Sequence, residues 1–399
     1  MPTNLSNLSF DDTQVAFSSK SDAELYQTYL LFASMNSPSL VGFGTKFVSG
    51  ALNMGVPIKG IIKHTLFKQF CGGETIEECS QTVQQLAKFN IGTILDYSVE
   101  GMKNEKWFDS TTEETILTIH KAAQNRKAIP FCVFKVTGLA ATPLLEKVTD
   151  ELRGKTVNWT AEEKAAYQRV QQRVDKICKT AFENKVRVFI DGEETWIQDA
   201  IDALCYDMME KYNRQECIVY NTFQLYTWDR LGKLKNAAQT AKTKGYWLGA
   251  KLVRGAYMEK ERKRANEMGY KDPIQPNKEA SDKDFDAALV FCVENKDYIA
   301  ICAGTHNEQS SYLLAELMNK HGIAPNHPNF FFAQLFGMSD NISYNLAKAG
   351  YNVAKYVPYG PVKAVMPYLF RRAAENTSIA GQTSREFLLV KKELARRKK

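Results

Sequence analysis

The chain has no run of 18 apolar residues, so its sequence predicts no helix that crosses a membrane. Its eight cysteines include no CxxC pair and several sit in apolar, strand-like runs, which predicts reduced thiols in the core. HExxH, paired Cys/His spacing and the GxSxG elbow are all missing, so metal-assisted hydrolysis and acyl transfer through a serine triad lack their residues. No metal is expected. No strand-to-helix turn carries GxGxxG, and the stretch GFGTK lacks both the full GxxxxGK[ST] pattern and a preceding strand. The beginning, MPTNLSNLSFDD, has neither a charged flank followed by an apolar run nor an Arg-rich presequence, from which an intracellular, cytoplasmic protein is expected. A general basic surface is lacking too. Of the net charge of +7, the last fifteen residues carry +5, with seven basic side chains against two acidic ones. That pattern predicts a solvated basic tail, and no nucleic-acid partner is expected.

What the sequence does contain is a core and a rhythm. At 399 residues with 44% hydrophobic content it can bury one large core. Residues 1–89 read as a mostly helical arm, with helical spacing from Asp22 to Ala33 and from Gly60 to Gln69 on either side of a glycine-rich interval. From Asn90 onward, short apolar runs alternate with amphipathic stretches: IGTILDY, IPFCVFKV, VRVFID, CIVYNTF, WLGAKLVRG, YIAICAG, FFFAQLF and NVAKYVP. Eight near-continuous apolar strands separated by helices call for a parallel sheet covered on both faces and suggest a (β/α)8 barrel over 90–384, followed by the basic tail 385–399. A doubly wound open sheet is the alternative, opposed by the missing GxGxxG. The stretch LLEKVTDELRGKTVNW reads as an insertion outside the barrel.

A barrel assembles its chemistry at the carboxyl ends of its strands, and here those ends are polar throughout. They carry Asp96 and Glu100, Lys135, Asp191 with Glu193, Asn221 and Gln224, Lys251 and Arg254, Thr305 with His306, Gln334, and Tyr356. Each alone is as readily a helix cap or a solvated loop, whereas eight together point to a site. The last strand leads into a helix whose spacing places Tyr368, Arg371, Arg372 and Glu375 near one face, with Pro361 at its expected start and Pro367 as a kink or second start. An Arg-Arg pair is commonly a solvated face, yet two guanidinium groups can also hold one planar anion. Lysines 135 and 251 inside apolar strands also admit a barrel aldolase working through a Schiff base.

The runs YVPYG and RRAAEN, with FFFAQLFGMSD, GTHNEQ, KLVRGAYMEKERKRA, RVFIDGEET and FCVFKVTGLA before them, resemble the flavin-dependent proline dehydrogenases over about Ile91 to Asn376. The Arg-Arg helix with KLVRGAY has no counterpart role in an aldolase. The resemblance implies FAD-dependent oxidation of L-proline to 1-pyrroline-5-carboxylate, with electrons passed to a quinone, peripheral contact with the inner membrane, and the next step left to a separate pyrroline-5-carboxylate dehydrogenase. It further implies that Arg371 and Arg372, helped by Lys135, clamp the substrate carboxylate. Tyr356, Tyr368 and Leu335 would pack around the pyrrolidine ring, Glu100 would pair with the first arginine as a gate, and Asp191 would order Lys135 within the charges near the flavin. Lys251, Arg254, Gly255, Ala256 and Tyr257 resemble the stretch that runs past the isoalloxazine and pyrophosphate. Gly192, Asn221, Thr305, His306 and Glu375 would be further cofactor contacts. Many bacterial members have Arg where this chain has Lys251 and Gln where it has Asn221, so the chain resembles the eukaryotic-type, monofunctional branch. Charge near the flavin ring sets its potential, which both positions would therefore tune.

Overall fold

The computed structural model describes residues 8–37, 59–99, 104–376 and 384–399, together with positions 39, 41, 42, 44, 48 and 54. Each of the eight apolar runs forms a strand: β1 Ile91–Tyr97, β2 Phe131–Phe134, β3 Arg187–Ile190, β4 Val219–Gln224, β5 Leu248–Val253, β6 Ile299–Gly304, β7 Phe330–Leu335 and β8 Val353–Tyr359. They close into a parallel barrel in chain order, as expected of strands buried on both faces. Helix starts follow local capping chemistry. The side chains of Asn104, Asn277 and Asn307 each accept a backbone N–H three residues on, and Thr160 with Glu163 forms a reciprocal capping box. The insertion after β2 contains the helix Thr142–Leu152, whose Leu145 and Val148 are buried.

The described residues divide by contact density into two compact units, one within Gly101–Ala333 and the other within Ser6–Glu100 and Gln334–Lys399. In the first unit an aromatic plug fills the interior: Phe131 stacks on Phe189 at 4.3 Å, and Tyr220 and Phe331 meet Phe131 edge-on at 5.4 and 4.8 Å. This plug fixes the faces of β4. Tyr220, Thr222 and Gln224 share one face, the interior, and Asn221 stands on the other, because strand side chains alternate.

In the second unit the arm and the chain end share a core. Leu25, Phe32, Phe70, Val362, Leu369 and Val390 are all buried in one cluster. The helices Asp22–Met35 and Lys59–Ile62, with the turns that follow to Phe70, occupy the segments whose spacing predicts them. Beyond β8 the helix opens at Met366, with Pro367 in its first turn, while 361–365 form turns, so Pro367 acts as the start. The C-terminal segment is not a solvated tail. Its helix Arg385–Arg397 buries Leu389 and Val390, and Phe387 and Leu394 pack on the same cluster. Arg396 and Arg397 both donate to Glu393, which is fully buried, and Arg397 reaches Asp22 and the carbonyls of Phe17 and Lys20. A charge count hides this because Phe387, Val390 and Leu394 lie at helical spacing on one face. All eight cysteines are free and buried, as their setting predicts.

Candidate active site

In the first unit the focus is Asp191, at the end of β3 and 8% exposed. Its Oδ1 lies 2.6 Å from Lys251 Nζ, and its Oδ2 lies 3.5 Å from Lys135 Nζ. One carboxylate thus orders the cations of two strands. The Lys251 ammonium also sits 5.2 Å from the centroid of the Phe189 ring, a cation–π placement that holds it against the plug. Two residues beyond Asp191, Glu193 is buried and accepts from both the backbone N–H (3.0 Å) and the hydroxyl of Thr137. Burial pushes the Glu193 carboxyl up to about 7, against the hydrogen bonds from Thr137 and the attraction of Lys135. Burial also raises the Tyr257 phenol, and the charge of Glu193 adds to it, so Tyr257 belongs to the same group.

Arg254, in the loop after β5, donates through each of its three guanidinium nitrogens and still has N–H groups to spare. Its Nε donates to Asp282 at 2.6 Å, Nη1 to Thr305 at 2.7 Å and Nη2 to Ser310 at 3.0 Å, while the guanidinium lies 4.4 Å from the Phe285 ring centroid. Gly255 has φ +148°, and a Cβ there would meet the Tyr226 ring at 2.4 Å. The close approach that demands glycine is therefore to a neighbouring side chain. At Gly192 an added Cβ would come within 3.2 Å of Gln224. Asn221 is wholly buried on the helix side of β4, its Nδ2 donating to Asp202 (2.9 Å) and its Oδ1 accepting from the Thr222 N–H (2.9 Å). Gln224, on the interior face, was equally visible in the sequence as a polar strand end. Alternation from the aromatic Tyr220 was the signal that would have preferred it. Thr305 is buried and His306 partly so, at the end of β6, with Ala256 between Gly255 and Tyr257 in the loop after β5.

In the second unit the helix Met366–Glu375 brings together four of the residues placed on it. Arg372 is 6% exposed, donates from Nη2 to Glu375 at 2.5 Å and lies 5.0 Å from the Tyr368 ring centroid. Arg372 Nε and the Tyr368 hydroxyl are buried polar atoms with no hydrogen-bond partner among the described residues. Burial raises the Tyr368 phenol. Arg371 is exposed one residue earlier, and Leu335 packs against the cluster that contains Tyr368. In β8, Lys355 is buried and paired with Asp340 at 2.8 Å on the outer, helix-bearing side, so the neighbouring Tyr356, half-buried, faces the opposite way, into the barrel. Cys71 and Asp96 also lie near the Tyr368 phenol; Asp96 is one of the polar strand ends visible in the sequence, whereas no local signal announces Cys71. Glu100 lies outside the described residues.

These positions fall in a chain that matches the family "Proline dehydrogenase" over residues 79–385. The chain belongs to the proline dehydrogenase family. Its relatives include "Proline dehydrogenase 1, mitochondrial" of Dictyostelium discoideum, 33% identical over 99% of this chain and 76% of the relative. The "Hydroxyproline dehydrogenase" of Xenopus laevis is 31% identical over 98% of this chain and 90% of its own length. Among solved structures, proline utilization A (PutA) from Bdellovibrio bacteriovorus inactivated by N-propargylglycine has the same fold, with a TM-score of 0.71 and 20% identity. That likeness covers 92% of this chain and 38% of the longer PutA chain.

Proposed function

We propose that this chain oxidises L-proline to 1-pyrroline-5-carboxylate with FAD as its cofactor. The observation that carries the reading is the helix Met366–Glu375. It keeps a buried guanidinium nitrogen and a buried phenol without hydrogen-bond partners among the described residues, next to a second, exposed arginine. Buried donors are normally satisfied, so these two call for a ligand that accepts hydrogen bonds, and a carboxylate suits paired guanidinium groups. Tyr356, Tyr368 and Leu335 supply the apolar surface that a pyrrolidine ring requires.

The donor set of the first unit fits FAD. Arg254, Thr305 and His306 at the ends of β5 and β6 are the donor types that a pyrophosphate takes, and Lys251 with Gln224 offers donors on the interior side for the edge of an isoalloxazine ring. When bound, FAD would supply the two-electron acceptor for the oxidation of the substrate C–N bond. The chain's own contribution is positional. Arg371 and Arg372 fix the substrate by its carboxylate, Asp191 fixes the ammonium groups of Lys135 and Lys251, and holding reacting groups in place is worth up to ~7 to 11 kcal/mol of a barrier. Both lysines are ion-paired with the Asp191 carboxylate, which gives them a structural partner in place of the free nucleophilic role that a Schiff-base aldolase assigns to its lysine. Family likeness further supports a quinone as electron acceptor and a separate pyrroline-5-carboxylate dehydrogenase as the next enzyme. The names of several relatives support a mitochondrial setting, and peripheral contact with the inner membrane is part of this proposal. No helix among the described residues is long and apolar enough to cross a membrane.

The test is spectroscopic. The purified protein is expected to be yellow, and L-proline under nitrogen should bleach its flavin bands. A colourless protein that cannot be reconstituted with FAD, or a flavin indifferent to L-proline, would sink the proposal.

A further inference from the structure

The turn that follows Lys135 has an anchor of unusual origin. Lys135 precedes a short 3-10 turn, Val136–Gly138, and provides no side-chain cap for it. The first N–H groups of any such turn have no partner inside it. Here the N–H of Thr137 is taken by Glu193 Oε1 at 3.0 Å, and the Thr137 hydroxyl donates to Glu193 Oε2. The cap therefore comes from the segment after β3, 56 residues away, two positions beyond Asp191.

Glu193 is itself held from two further sides. Its N–H donates to Gln198 Oε1 at 2.7 Å, and its carbonyl accepts from Gln224 Nε2 at 2.6 Å. Gln198 Nε2 donates to Asp202 at 2.9 Å, and Asp202 receives Arg230 through two bonds of 2.6 and 2.8 Å. Glu193, Gln198, Gln224, Asp202 and Arg230 are all buried. Such a network is rigid because each member would lose its partner if it moved. A neutral side chain could have capped the turn at less desolvation cost, yet the position holds an acid facing Lys135, with Asp191 and Glu194 on its own segment and Tyr257 from the loop after β5.

We propose that Glu193 is a positioning residue. It locks the turn after β2 so that the Lys135 ammonium is presented to Asp191, leaving the second oxygen of Asp191 to Lys251. The inference rests on the reading of Lys135, Asp191 and Lys251 as part of a proline-oxidising site. A passive cap would leave the lysine where it is when the cap is weakened, whereas a positioning cap would not.

The experiment reads the lysine directly. Holoenzyme carrying Glu193→Gln, Glu193→Ala, Glu193→Asp or Thr137→Val is treated with a water-soluble acylating reagent, and modification of Lys135 is quantified by peptide mass spectrometry. Glu193→Ala and Thr137→Val are expected to raise the Lys135 labelling rate several-fold and Glu193→Asp to restore much of the protection, while labelling of the distant Lys176 stays constant. In parallel, KM for L-proline should rise about 10-fold in Glu193→Ala with a smaller change in kcat, the scale of one charge-assisted contact. The Glu193→Ala/Thr137→Val double variant should be no worse than either single one, since both cut the same link. Lys135 labelling unchanged in both Glu193→Ala and Thr137→Val, with FAD retained, overturns the proposal. If labelling responds while no variant and not even the wild type turns over L-proline, the positioning stands and the functional reading fails.

Discussion

Replacing Arg372 by Met puts the substrate reading under the most direct strain. The side chain is 6% exposed, so its guanidinium works at low effective dielectric, where a charge-assisted bond to a carboxylate contributes roughly 1.5 to 3 kcal/mol. Loss of that bond should weaken L-proline binding about 10- to 100-fold. Folding should suffer less. The partner in the protein, Glu375, is about half exposed, and a pair of that kind is worth about 1 kcal/mol or below, to which the lost contact with Tyr368 adds ~0.5 to 1 kcal/mol. Met nearly matches the length of the aliphatic stem, so no large cavity opens. Arg372→Lys keeps the charge without the planar fork and should fall between wild type and Met. The assay follows the rate of anaerobic flavin bleaching as L-proline is titrated, set beside a titration of its inhibition by pyrrolidine, which has the ring without the carboxylate. The variant should shift the first titration and leave the second within about twofold, with FAD content unchanged. Equal shifts for both ligands would mean that Arg372 shapes the pocket and does not read the carboxylate. An L-proline affinity within twofold of wild type in both Arg371→Met and Arg372→Met would remove the helix from the site.

Tyr356→Ser should narrow the preference for L-proline over trans-4-hydroxy-L-proline by ~1 to 3 kcal/mol, because a phenol turned into the barrel is replaced by a small polar group; an unchanged ratio of kcat/KM values with FAD bound would make Tyr356 structural. Glu193 has a carboxyl raised from 4.5 to about 7 in the fold, so its contribution is fully present below pH 4.5 and lost as pH rises through 7. At about 1.4 kcal/mol per pH unit, Glu193→Gln should gain stability relative to wild type by about 3 kcal/mol between pH 4.5 and pH 8, and parallel denaturation curves at the two pH values would refute the shift. Val390→Asp, which places an unpaired charge in the cluster shared by the arm and the C-terminal helix, should cost several kcal/mol and lower Tm by many degrees, whereas Val390→Ala should cost about 1 to 3 kcal/mol; a melting temperature unchanged in both would mean that the helix is not docked in solution.

The barrel was legible because its strands are covered on both faces, which turns each into an unbroken apolar run whose boundaries need no partner to be seen. The helix bearing Arg371 and Arg372 was legible for a related reason, since helical spacing puts its polar residues on one face in any surroundings. What failed to show were facts that depend on a second segment. An apolar run such as CIVYNTF does not say which of its alternate faces is inward, so the expected cofactor contact fell on Asn221, and only the packing of the Tyr220 ring on Phe131 and Phe189 puts Gln224 on the interior face instead. The chain end looked like a solvated tail because charge is counted residue by residue, whereas its burial depends on Glu393 neutralising Arg396 and Arg397 beneath an apolar face.

The Glu193 cap is illegible for a deeper reason. Neither KVTG nor IDGEE departs from ordinary loop composition, and the bond between them exists only because parallel neighbours in a barrel end at the same level, with their following loops side by side. That same geometry puts Asp191 beside Lys135 and Lys251. A polar residue at one strand end is a cap or a solvated loop on its own evidence, and it becomes part of a site when the adjacent end supplies its counterpart. For the first unit the informative sequence quantity is therefore the pairing of polar ends on successive strands, and Thr137 with Glu193 is the pair that such a reading would have added.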